Sequence, residues 1–261
     1  VGIIDDLLSL SPLKKIIGQV IAIVVLIHLG NFQIDSMHGV LGVYELSPLM
    51  STLFTIFTVI VVTNGFNLID GADGLASGLG IISSLCFSIM SLLASQLDMA
   101  IIGFALSGAL LGFFRFNWHP AKIFMGDTGS LVVGLILSIL AINMVDTGLI
   151  YNSQQYPNKG PLLAIAILSI PLFDSLRVFI VRLFRGVNPL LADKGHIHHA
   201  LLSLGFNHKK TSLIICSVNF CMFLLAIYIV EINVNYSIMI LAAINFLFLY
   251  LPFLIRKLNE K

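Results

Sequence analysis

The residues best suited to chemistry are acidic and lie in short motifs rich in glycine. Asp5 and Asp6 are adjacent near the start of the chain, and Asp70 and Asp73 lie three residues apart further on. Adjacent carboxylates repel each other, so a pair that stays ionised needs a cation or basic neighbours. Mg²⁺ takes one or two protein carboxylates together with phosphate oxygens. These pairs therefore indicate a site for a divalent cation and a phosphate-bearing ligand.

Helix capping is the competing explanation for each acidic motif, because Asp and Asn are good N-caps. We expect Asp70 and Asp73 in the first turn of the next apolar helix, where the helix dipole favours anions. Capping accounts for one such group, but not for two asparagines and two aspartates within residues 64–73. Asp127 also directly precedes an apolar helix, while Lys122 in the same motif could meet a phosphate as a point charge.

The fourth polar motif is basic and contains a group of histidines. Residues 182–210 carry five Lys and Arg side chains against the single Asp193, which suits a substrate with two phosphates. The histidines are His196, His198 and His199. A zinc site would need further Cys or His ligands that are missing here, so phosphate binding or proton transfer is favoured.

The composition defines the class of protein that carries these motifs. Of the 261 residues, 58% are hydrophobic and 10% are charged, whereas soluble domains have about 45–50% and about 25%. Such a chain cannot cover a folded surface with polar side chains, which excludes a soluble globular protein. A net charge of +1 argues against a nucleic-acid-binding protein. The sequence therefore predicts an all-α polytopic membrane protein.

Eight apolar windows are long enough to span a membrane, and residues 1–261 are expected to form a single integral-membrane domain. The first window carries Gln19 and His28, so its ends are the least defined, and Pro171 is predicted to kink the sixth. The windows are 16–30, 49–63, 77–95, 99–114, 129–146, 161–181, 211–230 and 237–255.

The basic residues predict the orientation of these spans. If the N-terminus lies inside and the spans alternate, thirteen of the fourteen Lys and Arg residues fall on the inner side, and only Lys159 lies outside. Cytoplasmic loops of membrane proteins carry such an excess of positive charge. The four polar motifs lie on the same side, so we expect a site that faces the cytoplasm.

With these motifs, the chain resembles the bacterial polyprenyl-phosphate N-acetylhexosamine-1-phosphate transferases, of the glycosyltransferase family 4 type. The resemblance rests on four motifs in order, GIIDD with LSPLKKIIGQ, NGFNLIDGADGL, FNWHPAKIFMGDTGS and ADKGHIHHALLSLGF. It implies transfer of a sugar-1-phosphate from a UDP-activated amino sugar to undecaprenyl phosphate in the bacterial cytoplasmic (inner) membrane. UMP would be released, Mg²⁺ would be the cofactor, with Mn²⁺ as an alternative, and membrane lipid would surround the protein.

The order of the histidines, His-Ile-His-His, resembles the branch that transfers GlcNAc-1-phosphate, the first membrane step of a cell-envelope glycan such as lipopolysaccharide. The alternative is the phospho-MurNAc-pentapeptide transferase of peptidoglycan synthesis, which usually has three consecutive histidines. Two interpretations from other classes also stay open. A membrane transporter would carry ionisable residues at mid-membrane depth, where only His28 and Asp174 come near, and an inactive scaffold would keep the fold without the chemistry.

The resemblance also implies roles for particular residues. The expected catalytic residues are Asp5, Asp6, Asp70 and Asp73, with one of the first two as the base that keeps the acceptor phosphate ionised. Asp127 and Asp6 are expected to bind the metal. The expected substrate-binding residues are Lys15, Asn67, Asn117, Lys122, His196, His198 and His199, of which Lys122 follows from its charge alone.

The family pattern further predicts helices upstream of the Asp-Asp motif. This chain opens at Val1, almost directly on that motif. We therefore expect it to be part of a longer protein whose upstream helices complete the bundle. A homodimer is compatible with the resemblance.

Overall fold

The structure is a computed structural model that describes residues 1–147, 149–151, 154–156, 159–186 and 195–259. Helices dominate these residues, and two short antiparallel hairpins connect some of them. The elements in chain order are α1 Gly2–Leu8, α2 Pro12–Gly30, β1 Ser36–Val40, β2 Val43–Glu45, α3 Pro48–Ile69, α4 Leu75–Leu93, α5 Leu97–Asn117, α6 Gly126–Thr147, β3 Leu149–Tyr151, β4 Gln154–Tyr156, α7 Gly160–Ile167, α8 Ser169–Phe184, α9 Ile197–Ser203, α10 His208–Tyr228 and α11 Val234–Asn259.

The long helices match the predicted spans. Within the described residues, seven helices are long and apolar enough to cross a membrane, namely α2, α3, α4, α5, α6, α10 and α11. The bent pair α7–α8 makes an eighth crossing when it is counted as one span. Each crossing overlaps one predicted window, so the expected all-α polytopic architecture is confirmed. The chain is a multi-pass membrane protein.

The sixth span is broken rather than kinked at Pro171. Helices α7 and α8 meet at Leu168 with a bend of 78°. Pro171 lies in the first turn of α8, where its missing N–H is tolerated, but it cannot donate to the carbonyl of Ile167. Instead, the Ile167 carbonyl accepts hydrogen bonds from Asn219 Nδ2 at 2.9 Å and from Ser83 Oγ at 3.0 Å. Side chains of neighbouring helices thus satisfy the backbone at the break.

Helix α4 is the central helix of the bundle. In its most apolar window 67% of the residues are buried, against 17% in α2 and 22% in α11. Small residues allow α5 to approach it closely, since a Cβ added at Gly103 would lie 2.2 Å from Ser88 Oγ. The hydroxyl of Ser88 in turn donates to the backbone carbonyl of Ser84 within α4 at 2.6 Å, so the buried polar group is satisfied.

The turn between α3 and α4 differs from the sequence expectation. Helix α3 continues through the motif that begins at Asn64 and ends only at Ile69, because Phe66 and Ile69 point into the core. Asp70 is the C-cap of α3, and α4 begins at Leu75 after a left-handed Gly74. The prediction that Asp70 and Asp73 lie in the first turn of α4 was therefore wrong. Both lie in the tight turn between the two helices.

The two ends of the bundle are chemically different. Hairpin β1–β2 lies at one end, where Asn235 at the start of α11 accepts from the Leu41 amide at 2.7 Å. Lys159 lies at this end too, and its ammonium donates to the Ile232 carbonyl. The opposite end carries the α3–α4 and α5–α6 turns, helices α1 and α9, and the other Lys and Arg residues of the described part of the chain. The polar motifs meet at this basic end.

Candidate active site

The first part of the site is a group of carboxylates around one lysine. We call it the acidic cluster, and it consists of Asp5, Asp6, Lys15, Asn67, Asp70 and Asp127. The Lys15 ammonium, in the first turns of α2, pairs with Asp5 at 2.6 Å and with Asp127. Asn67 Nδ2 donates to Asp127 Oδ1 at 2.7 Å and to Ser130 Oγ at 2.8 Å. Helices α1, α2, α3 and α6 therefore converge on the Asp127 carboxylate.

The two adjacent aspartates of α1 have different partners. Asp6 accepts from the backbone amides of Asp127 and Thr128 at 2.9 and 3.0 Å, and from the Thr128 hydroxyl at 2.5 Å. These bonds lower the pKa of Asp6 and make it the N-cap of α6, supplied by another helix. The capping role considered for Asp127 thus belongs to Asp6. The catalytic and metal-binding roles expected for Asp6 stay predictions.

Asp5 instead faces Lys15 and Asp127. Its contact with the Asp127 carboxyl, followed by those with Lys15 and the Leu10 amide, lowers the pKa of Asp5 to about 2 against the opposing effect of burial. The Leu10 amide donates to Asp5 Oδ1 at 2.6 Å and closes the turn after α1. A carboxylate with so low a pKa stays ionised at neutral pH and holds its cation, but it is a weak proton acceptor.

Asp70 has the opposite environment. Its pKa is raised to about 7. Burial is the main cause and the nearby charge of Asp127 adds to it, while the facing Gly126 amide has the opposite, smaller effect. A buried carboxyl group whose pKa is raised in part by the charge of a second carboxylate is complementary to an additional cation. Among the described residues, no three His, Cys, Asp or Glu side chains are grouped closely enough to hold a metal ion. Asp70 and Asp127 nevertheless fit Mg²⁺, which needs only one or two carboxylates when phosphate oxygens and water complete its shell.

The second part of the site surrounds Asp73, and we call Asp73, His119 and His208 the Asp73 cluster. His119 Nδ1 lies 2.7 Å from Asp73 Oδ2, and His208 Nδ1 lies 3.7 Å from Asp73 Oδ1. The two imidazole rings stack in parallel, with centroids 5.4 Å apart. Burial raises the pKa of Asp73, but the contacts with His119 and the Ala121 amide outweigh it and the pKa is lowered. Neither histidine was among the predicted site residues, although His119 stands within the third motif.

Asn117 and Lys122 are placed differently from the other expected substrate-binding residues. The Asn117 side chain is buried, accepts from the Gly74 amide at 3.2 Å and Ser77 Oγ at 2.7 Å, and donates to the Ile123 carbonyl at 3.0 Å. It therefore fixes the α3–α4 turn against the end of α5. Lys122 is exposed in the loop that follows. Substrate binding by these two residues stays a prediction.

The third part of the site is the histidine cluster, which consists of Asp174, Arg177, His196, His198 and His199. His198 is 1% exposed, and within the described part of the chain neither of its ring nitrogens has a hydrogen-bond partner. Burial, followed by the neighbouring His199 and His196, lowers the pKa of His198 to about 3, so its ring is neutral. Asp193 and Lys194 of the same motif lie outside the described residues.

Close contact at Gly71 joins the acidic and histidine clusters. A Cβ added at Gly71 would lie 2.2 Å from His198 Nε2, so only glycine lets this ring pack against the turn. Asp70, the preceding residue, belongs to the acidic cluster. His198 of α9 thus packs against the turn between α3 and α4 that carries Asp70 and Asp73.

The fold and the site together define a polytopic membrane protein with acidic and histidine side chains gathered at one end of its helix bundle. Comparison with known proteins agrees with this class. Residues 1–145, more than half of the chain, match glycosyl transferase family 4. The chain belongs to this family.

Several curated proteins are similar to the chain. It is 36% identical over 230 residues to the decaprenyl-phosphate N-acetylglucosaminephosphotransferase of Mycolicibacterium smegmatis, covering 82% of this chain and 56% of the relative. It is 28% identical over 221 residues to the undecaprenyl-phosphate alpha-N-acetylglucosaminyl 1-phosphate transferase of Escherichia coli K12, covering 82% and 58%. A phospho-N-acetylmuramoyl-pentapeptide-transferase of Rubrobacter xylanophilus is 40% identical over 172 residues, covering 66% and 47%. The chain thus spans about half the length of these relatives.

Proposed function

We propose that the protein transfers GlcNAc-1-phosphate from UDP-GlcNAc to undecaprenyl phosphate and releases UMP, at the start of a cell-envelope glycan. The observation that carries this proposal is the contact between the turn that holds Asp70 of the acidic cluster and the neutral His198 of the histidine cluster, at the basic end of a membrane-spanning bundle. Such a site suits phosphoryl transfer, which requires positioning and charge neutralisation more than covalent chemistry. The names of the Mycolicibacterium and Escherichia relatives support the same reaction class.

The excess of Lys and Arg at the site end of the bundle supports a cytoplasmic orientation in the bacterial inner membrane. A soluble nucleotide sugar would approach from the cytosol, whereas the acceptor lipid would arrive laterally with its phosphate at the membrane surface. Lys15 stands in the first turn of α2, at the basic end of a helix long enough to span a membrane, and is the residue that we assign to the acceptor phosphate. Asp5, with its low pKa, would hold Lys15 in place rather than carry a proton.

In the proposed reaction an oxygen of the acceptor phosphate forms a bond to the β-phosphorus of the donor. The bond from that phosphorus to the bridging oxygen breaks, and UMP leaves with the oxygen and its electron pair. Lys15 would stabilise the ionised acceptor, so no separate base has to remove a proton when the phosphate is already a dianion. Asn67 orients Asp127 through its 2.7 Å hydrogen bond.

Mg²⁺, when bound, would neutralise charge on the donor diphosphate as it develops during transfer. Asp70 and Asp127 are the residues that we assign to hold it, because the charge of Asp127 acts on the buried Asp70 carboxyl and Asp70 precedes Gly71, which packs against the histidine cluster. His198 and His199 would face the donor phosphates from the opposite side. The neutral imidazole of His198 can donate one hydrogen bond to a phosphate oxygen without bringing a charge.

The experiment that tests this proposal is an assay of UMP release by the whole protein in detergent with Mg²⁺. UDP-GlcNAc and UDP-MurNAc-pentapeptide are compared as donors, each with and without undecaprenyl phosphate. We expect release that depends on the lipid and on UDP-GlcNAc. UMP release with the pentapeptide donor alone would assign the protein to the branch of the Rubrobacter relative. No UMP release with any UDP-sugar would favour an inactive scaffold.

A further inference from the structure

Asp174 is a fully buried carboxylate in α8 that the proposed reaction does not use. Its exposed fraction is 0%, and an ionised group at such depth must be paired and hydrogen-bonded. Arg177, one turn further along α8, donates to Asp174 Oδ1 at 2.7 Å. His196 Nδ1 lies 2.8 Å from Asp174 Oδ2. Both partners are themselves at least 95% buried.

The same carboxylate holds the start of α9. The Ile197 amide donates to both oxygens of Asp174 at 3.2 Å, so Asp174 supplies from another helix the cap that α9 lacks from its own N-cap residue. Arg177 donates to the Gly195 carbonyl just before this helix and packs its guanidinium 4.5 Å from the Phe253 ring of α11. Helices α8 and α11 are thus joined to the segment that enters α9.

These contacts also fix the orientation of the histidines at the start of α9. Because the Asp174 carboxylate can only accept, His196 donates to it from Nδ1, and this contact fixes the orientation of the His196 ring. The next two histidines follow on the first turn of α9, and His198 packs against Gly71. A shift of the α9 terminus would move His198 and His199 relative to Asp70.

We propose that Asp174 is a positioning residue for the nucleotide-sugar donor. It holds His196 and the first turn of α9, so that His198 and His199 are fixed where they meet the donor phosphates. This inference rests on the proposed function, and it adds a residue that does not itself touch the substrate.

The test measures KM for both substrates in the Asp174→Asn variant of the whole protein. We expect KM for UDP-GlcNAc to rise by about 10- to 100-fold, because displacement of binding groups by about 1 Å has effects of this size. KM for undecaprenyl phosphate should stay at its wild-type value. A fall in kcat with both KM values unchanged would indicate a merely structural role and overturn the inference. Leu176→Ala, an exposed residue on the same helix, is the matched control and should leave both KM values unchanged.

A second variant decides the question if Asp174→Asn does not fold. Arg177→Lys keeps the positive charge but loses the forked geometry that joins Asp174 to Gly195. It should raise KM for the donor selectively, and an unchanged donor KM in this folded variant would overturn the inference.

A double-mutant cycle separates the action of Asp174 from that of its partner. If Asp174 acts through His196, the variant D174N/H196A should be no worse than H196A in donor KM. Full additivity of the two single effects would contradict the inference. If the wild-type protein released no UMP with any donor, the proposed function would be overturned instead, and the positioning role with it.

Discussion

The acidic cluster and the histidine cluster meet at the Asp70–Gly71 step, but they hold their charged groups in different ways. In the acidic cluster Lys15 is shared between Asp5 and Asp127, and burial raises the pKa of Asp70 to about 7. In the histidine cluster Asp174 is completely buried and accepts hydrogen bonds from Arg177, His196 and the Ile197 amide.

This difference indicates which part of the site is complete before any ligand binds. A carboxylate that several protein donors satisfy is fixed in the folded protein and gains little from a further cation. Two carboxylates that share one ammonium gain from an added positive charge, and so does a neighbouring carboxyl group whose pKa is raised. The contacts of Asp174 within the histidine cluster are therefore fixed before a ligand binds, whereas the acidic cluster is the part that should respond to metal, pH and substrate.

The largest expected effect comes from Asp127→Asn. Removing this charge takes away the common partner of Lys15 and Asn67, and we expect UMP release to fall by roughly 1000-fold, the upper range for loss of one preorganised group at a transition state. Membrane insertion and the unfolding temperature should stay close to wild type. Asp98→Asn, exposed at the opposite end of α5, is the control and should keep full activity. Retained transfer in Asp127→Asn would refute its assignment.

The pH dependence of stability tests Asp70 directly. Its folded pKa of about 7 lies above the ordinary 3.8, so between these values the unfolded chain is ionised while the folded protein holds a proton. The free energy of unfolding should therefore fall as pH rises from about 4 to about 7 and then level off. Asp70→Asn removes this dependence.

The measurement is thermal unfolding in detergent with a chelator at pH 5 and pH 8. Relative to Asp70→Asn, wild-type protein should lose on the order of 2 kcal/mol between these pH values, after allowance for solvent access to the carboxyl. The control Asp98→Asn should follow the wild-type trend. If the free energy of unfolding of wild type and of Asp70→Asn depended on pH in the same way, the pKa of Asp70 would not be raised in the folded protein.

Gly71→Ala tests the junction between the two clusters. The new Cβ would lie 2.2 Å from His198 Nε2, so the buried His198 ring or the turn would have to shift. We expect a loss of about 1–3 kcal/mol in the free energy of unfolding and a higher donor KM. Gly108→Ala in α5, where no atom lies within 4 Å of the added Cβ, is the matched control and should be neutral or stabilising by up to about 1 kcal/mol. Equal behaviour of the two variants would mean that His198 moves freely.

The smallest effect is expected for Ser212→Ala. The Ser212 hydroxyl donates to the Asp73 carbonyl at 2.7 Å and ties the start of α10 to the α3–α4 turn. Its loss should lower the free energy of unfolding by about 1 kcal/mol and leave both KM values unchanged. A change in donor KM would show that the Asp73 cluster is as responsive to perturbation as the acidic cluster.

The sequence predicted the spans and the polar motifs well, because hydropathy and local spacing determine both. It could not separate Asp5 from Asp6, since their partners lie in α2 and α6, more than 100 residues away for the α6 contacts. The expected kink at Pro171 became a break at Leu168, because the position depends on Asn219 of another helix. Contacts such as Asp174 with His196 connect helices that no local pattern relates.

The side chain of Asn219 at the α7–α8 break has a consequence for the shape of the whole bundle. Its side-chain amide donates to the Ile167 carbonyl and accepts from the Ile170 amide at 3.1 Å. It therefore makes the two hydrogen bonds that a backbone peptide group would make in a continuous helix. In lipid, where water cannot replace these bonds, opening or straightening the bend would strand two backbone groups at once. The 78° angle is therefore rigid, and α8 brings Asp174 to the site in a direction that Asn219, together with Ser83, maintains.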